Sequence, residues 1–182
     1  MKLLFISGKG GVGKSTLAYL FALTLSRVNK TISIRDLDPQ ESLTAWLDES
    51  PAVKIVANGE IVLIDTPPRL DDPIVLAAIA EADRIIIPTT PSPAEIAVAR
   101  ATANVVRNHK NKSCEAFVVM NRVKKGTLYA RSLDKLMVGL ALPVTKSCIS
   151  DRELYKHVLL DGWRALDSAA RDEITSLALE IQ

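Results

Sequence analysis

Residues 8–15 read GKGGVGKS and follow closely on the apolar run LLFI at residues 3–6. They fit the pattern G-x-x-x-x-G-K-[ST], in which successive backbone N–H groups of a glycine-rich turn surround a phosphate. Glycine is needed because a Cβ atom would block both the turn and the close approach to phosphate oxygens. A helix-forming run at residues 17–23 follows, and its N-terminus adds partial positive charge. The segment therefore predicts a nucleoside triphosphate site between a strand and a helix.

The pattern also assigns side chains to the triphosphate. Lys14 is expected to reach the β- and γ-phosphates, and the Ser15 hydroxyl is expected to ligate Mg²⁺. Thr16 adds a hydroxyl for the α-phosphate. The predicted nucleotide-binding set within the loop is Gly10, Gly11, Val12, Gly13, Lys14, Ser15 and Thr16.

Carboxylates follow two of the predicted strands. Residues 34–40 read IRDLDPQ, and Asp36 and Asp38 are two positions apart, so on an extended segment they point the same way. Both can therefore face a Mg²⁺–triphosphate, although an acidic turn before a helix would give the same pattern. Asp65 follows the aliphatic run at 61–64 and matches the Walker B position, which holds Mg²⁺ through water. Its alternative role is a cap on the next helix.

Short aliphatic runs alternate with helical patterns, which is typical of βαβ units. The predicted fold class is α/β: one P-loop NTPase domain over residues 1–182, with a mostly parallel twisted sheet and helices on both faces. Strands are predicted at 2–7, 31–35, 61–65, 84–88, 115–120 and about 141–144, with a weaker one at 53–57. Helices are predicted at 14–28, 41–48, 72–82, 94–108, 128–138, 151–159 and 166–181.

Composition narrows the class of protein. Apolar residues make up 48% of the 182 residues and aromatic residues only 4%, as expected for an aliphatic core of parallel strands. No apolar run approaches the ~20 residues that a membrane span needs. The two cysteines form no CxxC pair, so no metal cluster or disulfide framework is indicated, and a reducing, cytoplasmic location is expected.

Charge is distributed unevenly along the chain. Residues 1–91 contain nine Lys/Arg and eleven Asp/Glu, whereas residues 100–156 contain twelve basic and four acidic side chains. The acidic half holds the predicted nucleotide chemistry. The basic stretch is a candidate surface for a polyanion, although an ordinary solvated basic face is the alternative.

A second lysine inside the loop, Lys9, makes the local sequence KGGVGKST. With this lysine the chain resembles the deviant Walker A ATPases of the ParA/MinD family. The resemblance continues through IRDLDPQ at 34–40, DTPP at 65–68 and the stretch at 87–95, and residues 150–162 are similar to the small, ParF-like plasmid-partition ATPases. It implies that Lys9 reaches across a dimer to the partner's phosphates; a solvated loop charge is the alternative.

The resemblance also implies roles for the strand-end residues, with ATP and Mg²⁺ as cofactors. Asp36 would support the magnesium shell and Asp38 would position and deprotonate the attacking water, so the predicted catalytic set is Lys9, Lys14 and Asp38. Ser15, Asp36 and Asp65 form the predicted metal set. Asn121 resembles the strand-end asparagine that reads adenine, and no guanine signature is present, which favours ATP over GTP.

Family members of this kind form a homodimer with ATP, bind double-stranded DNA without sequence preference and respond to a ParB-like cargo adaptor. The resemblance therefore implies a nucleoid-associated protein with slow, partner-stimulated hydrolysis and no membrane contact. The candidate DNA-binding residues are Arg122, Lys124, Lys125, Arg131, Lys135, Lys146, Arg152 and Lys156.

Two other functions remain open from the sequence. A MinD-like membrane ATPase would need a basic amphipathic C-terminal helix, but residues 170–182 contain one arginine and three acidic residues. A ligase similar to dethiobiotin synthetase would need a substrate pocket beside the phosphates instead of a dimer face. Iron–sulfur carriers of this fold are disfavoured because CxxC is missing.

Overall fold

The computed structural model describes residues 1–50, 52–124, 126–127, 135 and 137–181. Among these residues, five strands alternate with helices over the first two thirds of the chain, and two further helices lie nearer the C-terminus. In chain order the elements are β1 Lys2–Phe5, α1 Lys14–Arg27, β2 Ile32–Asp36, α2 Ser42–Asp48, β3 Ile61–Asp65, α3 Pro73–Glu81, β4 Arg84–Thr89, α4 Pro93–His109, β5 Glu115–Met120, α5 Leu154–Asp161, a 3₁₀ turn Gly162–Ala165 and α6 Ser168–Ile181.

All the strand pairings are parallel, in the order β2-β3-β1-β4-β5. Along β1, side chains alternate between the two faces: Leu3 and Phe5 enter one apolar cluster, and Leu4 enters another. Helices α1, α2, α5 and α6 cover the first face, and α3 and α4 cover the second. Near-continuous aliphatic strands are what burial on both faces requires. The predicted fold class is confirmed.

The main strands lie where the sequence predicts them, but two weaker ones are reduced to single bridges. Val144 pairs with Val118 and Ile55 pairs with Ile32, each as an isolated parallel contact. The helix predicted at 128–138 falls largely outside the described residues. The helix predicted at 151–159 instead occupies Leu154–Asp161, because residues 149–151 remain extended and pair with Val123.

The carboxyl ends of the strands meet at one edge of the sheet. Asp65 pairs in register with Asp36 on one side and with Phe5 on the other. On the far side of β4, the Asn121 N–H donates to the Thr89 carbonyl at 2.7 Å. The glycine-rich loop leaves β1 at this same edge, where open α/β sheets bind ligands. Among the described residues, no helix is both long and apolar enough to cross a bilayer.

Candidate functional site

A cleft of about 710 Å³ opens at this edge of the sheet. Three segments form its walls: the glycine-rich loop with the start of α1, the segment after β2, and the segment after β3. The lining side chains and backbone come from Gly10, Gly11, Gly13, Lys14, Ser15, Thr16, Leu37, Asp38, Pro39, Gln40, Trp46, Pro67, Pro68, Arg69, Asp72 and Arg122. The structure therefore brings together most of the phosphate-binding set that the sequence predicts.

The loop conformation depends on glycine at one position in particular. Gly13 caps α1 with φ at 97°, in the left-handed region. A Cβ atom there would lie 2.4 Å from Nδ2 of Asn121. Because α1 begins immediately afterwards at Lys14, its unpaired N–H groups and its positive dipole end face the cleft. This is a geometry suited to an anion.

Asn121 supports the loop from beneath. Its Nδ2 donates to the Val12 carbonyl at 2.8 Å, and its Oδ1 accepts from the Arg122 N–H at 3.0 Å. The side chain is 5% exposed, so both ends of the amide are used inside the protein. Its reading of adenine stays a prediction, and what the structure shows is a brace between the end of β5 and the phosphate loop.

Lys14 is the buried cation of the cleft. It is 7% exposed, and its Nζ donates to the Lys9 carbonyl at 3.5 Å. Burial lowers the pKa of Lys14, while the negative charges of Asp65 and Asp38 act in the opposite direction. An ammonium group with little hydration interacts strongly with an incoming anion, because few water contacts must be given up. Lys14 is thus placed to neutralise phosphate charge.

The Ser15 hydroxyl donates to Oδ2 of Asp65, which is 1% exposed at the end of β3. Burial raises the pKa of Asp65 to about 6, against the lowering effects of the Ser15 hydrogen bond and of Lys14. A hydroxyl and a carboxylate side by side are the hard oxygen groups that Mg²⁺ prefers. The described part of the chain holds no group of three or more His, Cys, Asp or Glu side chains suited to a metal. A cation here would therefore depend on phosphate and water for its remaining ligands.

Asp36 binds backbone N–H groups on both sides of the loop that follows β2. Its Oδ2 accepts from the backbone N–H groups of Leu43 and Thr44, at 3.1 and 3.2 Å, and so satisfies the start of α2. Its Oδ1 accepts from the Asp38 N–H at 3.1 Å. The carboxylate is occupied by protein donors in this structure, and its predicted place in the metal set stays a prediction. Its observed role is to fix the loop that carries Asp38.

Asp38 itself lines the cleft, two residues beyond the end of β2. Its Oδ1 accepts from the Gln40 N–H at 3.0 Å, which orients the carboxylate. Its charge also acts on the buried Lys14. A carboxylate that lines the same cleft as the glycine-rich loop can hold a water molecule near a bound phosphate.

Lys9 lies outside the cleft that Lys14 enters. Its ammonium group pairs with Oε1 of Glu95 in the first turn of α4, and its side chain is 50% exposed. The loop is tied to the same helix at Gly8, whose N–H donates to Thr102 Oγ1 at 3.1 Å. The sequence analysis missed both partners. Glu95 lies within the stretch at 87–95, but nothing in the sequence pairs it or Thr102 with the loop, since these contacts span more than 85 residues.

A second cleft of about 520 Å³ adjoins the first, and Thr16, Trp46 and Arg122 line both. Apolar side chains of Leu17, Leu20, Ile149 and Leu159 contribute to its wall. Arg122 adopts φ of 53°, a left-handed conformation that is uncommon for a residue with a Cβ atom. Arg122 therefore lies at the junction of two clefts, in addition to its predicted place on a DNA-binding surface.

Arg152, one of the predicted DNA contacts, is held by two carboxylates, and its contact with DNA stays a prediction. Arg152 is ion-paired with Glu173 at 3.0 Å and with Asp167 at 3.3 Å, and its side chain is 22% exposed, so its charge is neutralised inside the protein. Burial opposes ionisation of Glu173, but hydrogen bonds from Arg152, Ser150 and Tyr155 outweigh it and lower the pKa of Glu173 to about 2. This group of side chains connects the start of α5 with α6.

The other predicted DNA contacts divide into three groups. Lys124 pairs with Asp151 at 3.5 Å and Lys156 with Glu153 at 2.9 Å, although both lysines are more than 70% exposed. Lys135 and Lys146 are exposed. Lys125 and Arg131 lie outside the described residues.

The chain is similar in sequence or in fold to known proteins. The chain is 26% identical over 200 residues to the maintenance of carboxysome distribution protein A of Halothiobacillus neapolitanus, covering 95% of this chain and 92% of that protein. A putative plasmid partition protein of Borrelia burgdorferi B31, solved with AMPPNP, superposes with a TM-score of 0.74 at 22% identity, covering 99% and 97% of the two chains. The septum site-determining protein MinD of Pyrococcus horikoshii OT3, solved with Mg-ADP, gives 0.76 at 14% identity, covering 100% and 95%.

These superpositions show a shared fold, and the family model goes further. The model described as CobQ/CobB/MinD/ParA nucleotide binding domain matches residues 3–159, which include all of the sheet except Lys2, both clefts and the start of α5. The match covers well over half of the chain and contains every strand-end residue described above. The chain therefore belongs to the CobQ/CobB/MinD/ParA family of nucleotide-binding domains and is close to its ParA-like ATPases.

Proposed function

We propose that this chain is a ParA-like positioning ATPase, in which ATP closes a sandwich homodimer that binds DNA and releases it after hydrolysis. The observation that carries the proposal is the separation of the two loop lysines. Lys14 is buried in the cleft of its own subunit, whereas Lys9 leaves the same loop on the outside. A cation held outside its own cleft is available to phosphates that a second subunit presents.

ATP with Mg²⁺ is the proposed ligand. The loop amides and the α1 N-terminus would hold the phosphates, with Lys14 on the β- and γ-phosphates. Ser15 would ligate Mg²⁺, which neutralises developing charge on the phosphates, and Asp65 would hold the metal-bound water. Their present contact supports this assignment, because it places both oxygens within reach of one small ion.

Hydrolysis would use Asp38 as the residue that positions and deprotonates water. Asp38 lines the cleft, and its orientation is fixed through Asp36 and Gln40. Phosphoryl transfer asks mainly for positioning and charge neutralisation, so the resting rate depends on how many cations surround the transferring phosphate. We expect slow turnover by the isolated protein and acceleration by an adaptor.

The adjoining cleft is the proposed place for the adenine ring and the ribose. Trp46 and four aliphatic side chains give it a largely apolar wall suited to a base, and Arg122 and Thr16 lie where it meets the phosphate end. To hydrogen-bond to the adenine edge, the Asn121 amide would have to break its bond to the Val12 carbonyl or form new bonds in addition to it. The proposed preference for ATP over GTP therefore rests on the sequence resemblance.

DNA binding would use exposed lysines of the late part of the chain. Lys124, Lys135, Lys146 and Lys156 are exposed, and Lys124 and Lys156 are each paired with a single carboxylate at the surface. Exposed pairs of this kind are weak, so a phosphate backbone can replace the carboxylate. Neutralising DNA phosphates releases counterions, and affinity should fall steeply with salt.

The proposed cargo is a large assembly that an adaptor links to the ATPase. Relatives named for carboxysome distribution and for plasmid partition support this class of cargo. The proposal includes a cytoplasmic, nucleoid-associated location and a ParB-like or equivalent adaptor.

Membrane attachment through α6 is disfavoured. Most of the apolar residues of this helix, including Ala170, Ile174 and Leu177, are buried in the cluster that also contains α1. Leu179 is exposed on α6, but a single leucine does not give a lipid surface a continuous apolar face. A small-molecule ligase on the same scaffold is disfavoured because it gives Lys9 no role.

The test is duplex DNA binding with ATP, with ADP and without nucleotide, each over a salt series. We expect binding only with ATP and Mg²⁺, with affinity falling linearly on a log–log plot against salt. Asp38→Ala serves as the matched variant, because it should bind ATP and retain DNA binding for longer. Equal binding by the ADP form would contradict a nucleotide switch.

A further inference from the structure

The ion pair between Lys9 and Glu95 holds the Lys9 ammonium group within its own subunit. We propose that Glu95 is a positioning residue that holds Lys9 within its own chain and has to release it before the ATP dimer closes. This inference rests on the proposed function, since it assumes that Lys9 acts on the partner's phosphates.

Glu95 is well fixed for this role. It lies in the first turn of α4, where its N–H donates to Oγ of the helix cap Ser92 at 3.3 Å. Its side chain is only 15% exposed, while that of Lys9 is 50% exposed. Within the described chain its second oxygen, Oε2, is buried and has no hydrogen-bond partner. Lys9 is therefore the counter-ion of a carboxylate that is otherwise poorly compensated.

The pairing is not an accident of a free loop. Thr102, two turns further along α4, accepts from the Gly8 N–H and donates to the Val98 carbonyl at 2.9 Å. The backbone immediately before Lys9 is thus attached to the helix that carries Glu95. Loop and helix are held in register, and the ammonium group meets the same carboxylate in each subunit.

Closing the dimer would exchange one anion for another. Lys9 would leave a single carboxylate for a triphosphate of higher charge, and Glu95 would be left half-buried without its counter-ion. The exchange is favourable only when a triphosphate is present, because ADP lacks the terminal phosphate. Glu95 would accordingly make dimer formation depend more strongly on bound ATP and would keep subunits without ATP monomeric.

The experiment measures the dimer dissociation constant of Glu95→Gln by analytical ultracentrifugation in AMPPNP and Mg²⁺. Glutamine keeps the shape and removes the charge. Partly exposed pairs are worth about 1.4- to 5-fold each, and two are broken per dimer, so we expect roughly 2- to 30-fold tighter dimerisation. The matched control is Glu60→Gln, which removes a surface partner of Lys30 at 3.2 Å and should leave dimerisation unchanged.

Two further variants show whether Glu95 acts through Lys9. Glu95→Asp retains the charge on a shorter side chain and should fall between the wild type and Glu95→Gln. In the double variant Lys9→Ala/Glu95→Gln, dimers should be absent, because the residue being held is gone. Dimers restored in that double variant would overturn the proposal, since Glu95 would then be acting without Lys9.

The remaining outcomes separate the two levels of the account. If the wild type dimerises, Lys9→Ala does not, and Glu95→Gln is no tighter than the wild type, then the hold on Lys9 is refuted and the positioning ATPase stands. Weaker dimerisation by Glu95→Gln would also refute the hold, because it would make Glu95 part of the closed interface. If neither the wild type nor Glu95→Gln dimerises in AMPPNP, both proposals fail.

Discussion

The phosphate cleft and the α5–α6 region both concentrate charge, but they arrange it in opposite ways. In the cleft, Lys14 and Asp38 face an open space and take only part of their possible partners from the protein. Between α5 and α6, Arg152 and Tyr155 both donate hydrogen bonds to Glu173. The first region keeps its interactions available for a ligand, and the second uses them to join two helices. Charge indicates a binding surface where the protein leaves it unpaired or holds it only in an exposed ion pair that a ligand can replace.

The largest effect is expected from removing the cleft carboxylate that is proposed to position water. Asp38→Ala should lower the single-turnover rate of ATP hydrolysis by about 10²- to 10³-fold, because a general base contributes on this order. ATP binding should be nearly unchanged, since Lys14 and the loop amides remain. Rapid quench of a pre-formed ATP complex gives the rate. Wild-type turnover by this variant would remove Asp38 from the chemistry.

A smaller effect tests whether the α5–α6 network is structural. The folded-state pKa of Glu173 is about 2, below its ordinary 4.5, so its contribution to stability is present above pH 4.5 and is lost as the pH falls through 2. Glu173→Gln should therefore lower the free energy of unfolding at pH 7 by roughly 1–3 kcal/mol, the range for a hydrogen bond to a charged group.

The pH dependence of that loss is the sharper readout. The difference between the wild type and Glu173→Gln should shrink steadily between pH 4.5 and pH 2 in urea denaturation experiments, because the wild-type carboxylate becomes neutral as well. Nucleotide binding measured at pH 7 should be retained by the folded variant. A difference in stability that stays constant with pH would contradict a charge-based network.

The smallest effect compares an exposed lysine with the paired arginine. Lys156→Ala should reduce the slope of log affinity for DNA against log salt by about 1, as expected for one lost phosphate contact. Arg152→Gln should leave this slope unchanged but lower the melting temperature, because Arg152 is held by Glu173 and Asp167. The opposite pair of results would place Arg152 on the DNA.

The sequence predicts the cleft better than it predicts the region after it, and the reason is physical. The loop at 8–15, Asp38 and Asp65 are specified by local patterns, because each follows an aliphatic strand and parallel strands end at a common edge. Neither the α2 cap made by Asp36 nor the amide of Asn121 under Val12 follows from spacing. Both depend on how distant segments meet.

Arg152 shows that the partners of charged residues are equally hard to predict from the sequence. A basic run in the sequence does not show that Glu173 lies 21 residues away on a helix packed against it. Likewise, nothing in the sequence near Lys9 indicates that it pairs with the carboxylate of Glu95, 86 residues later. Long-range ion pairs decide which charged side chains are free, and local sequence patterns do not reveal these pairs.

The state of association with bound nucleotide tests the account most directly. Sedimentation of the wild type and of Lys9→Ala should be measured with AMPPNP and Mg²⁺, with ADP and Mg²⁺, and without nucleotide. The account predicts a dimer only for the wild type with AMPPNP, and nucleotide-bound monomers for Lys9→Ala. A wild type that stays monomeric with AMPPNP bound, or a Lys9→Ala variant that dimerises as the wild type does, would contradict it.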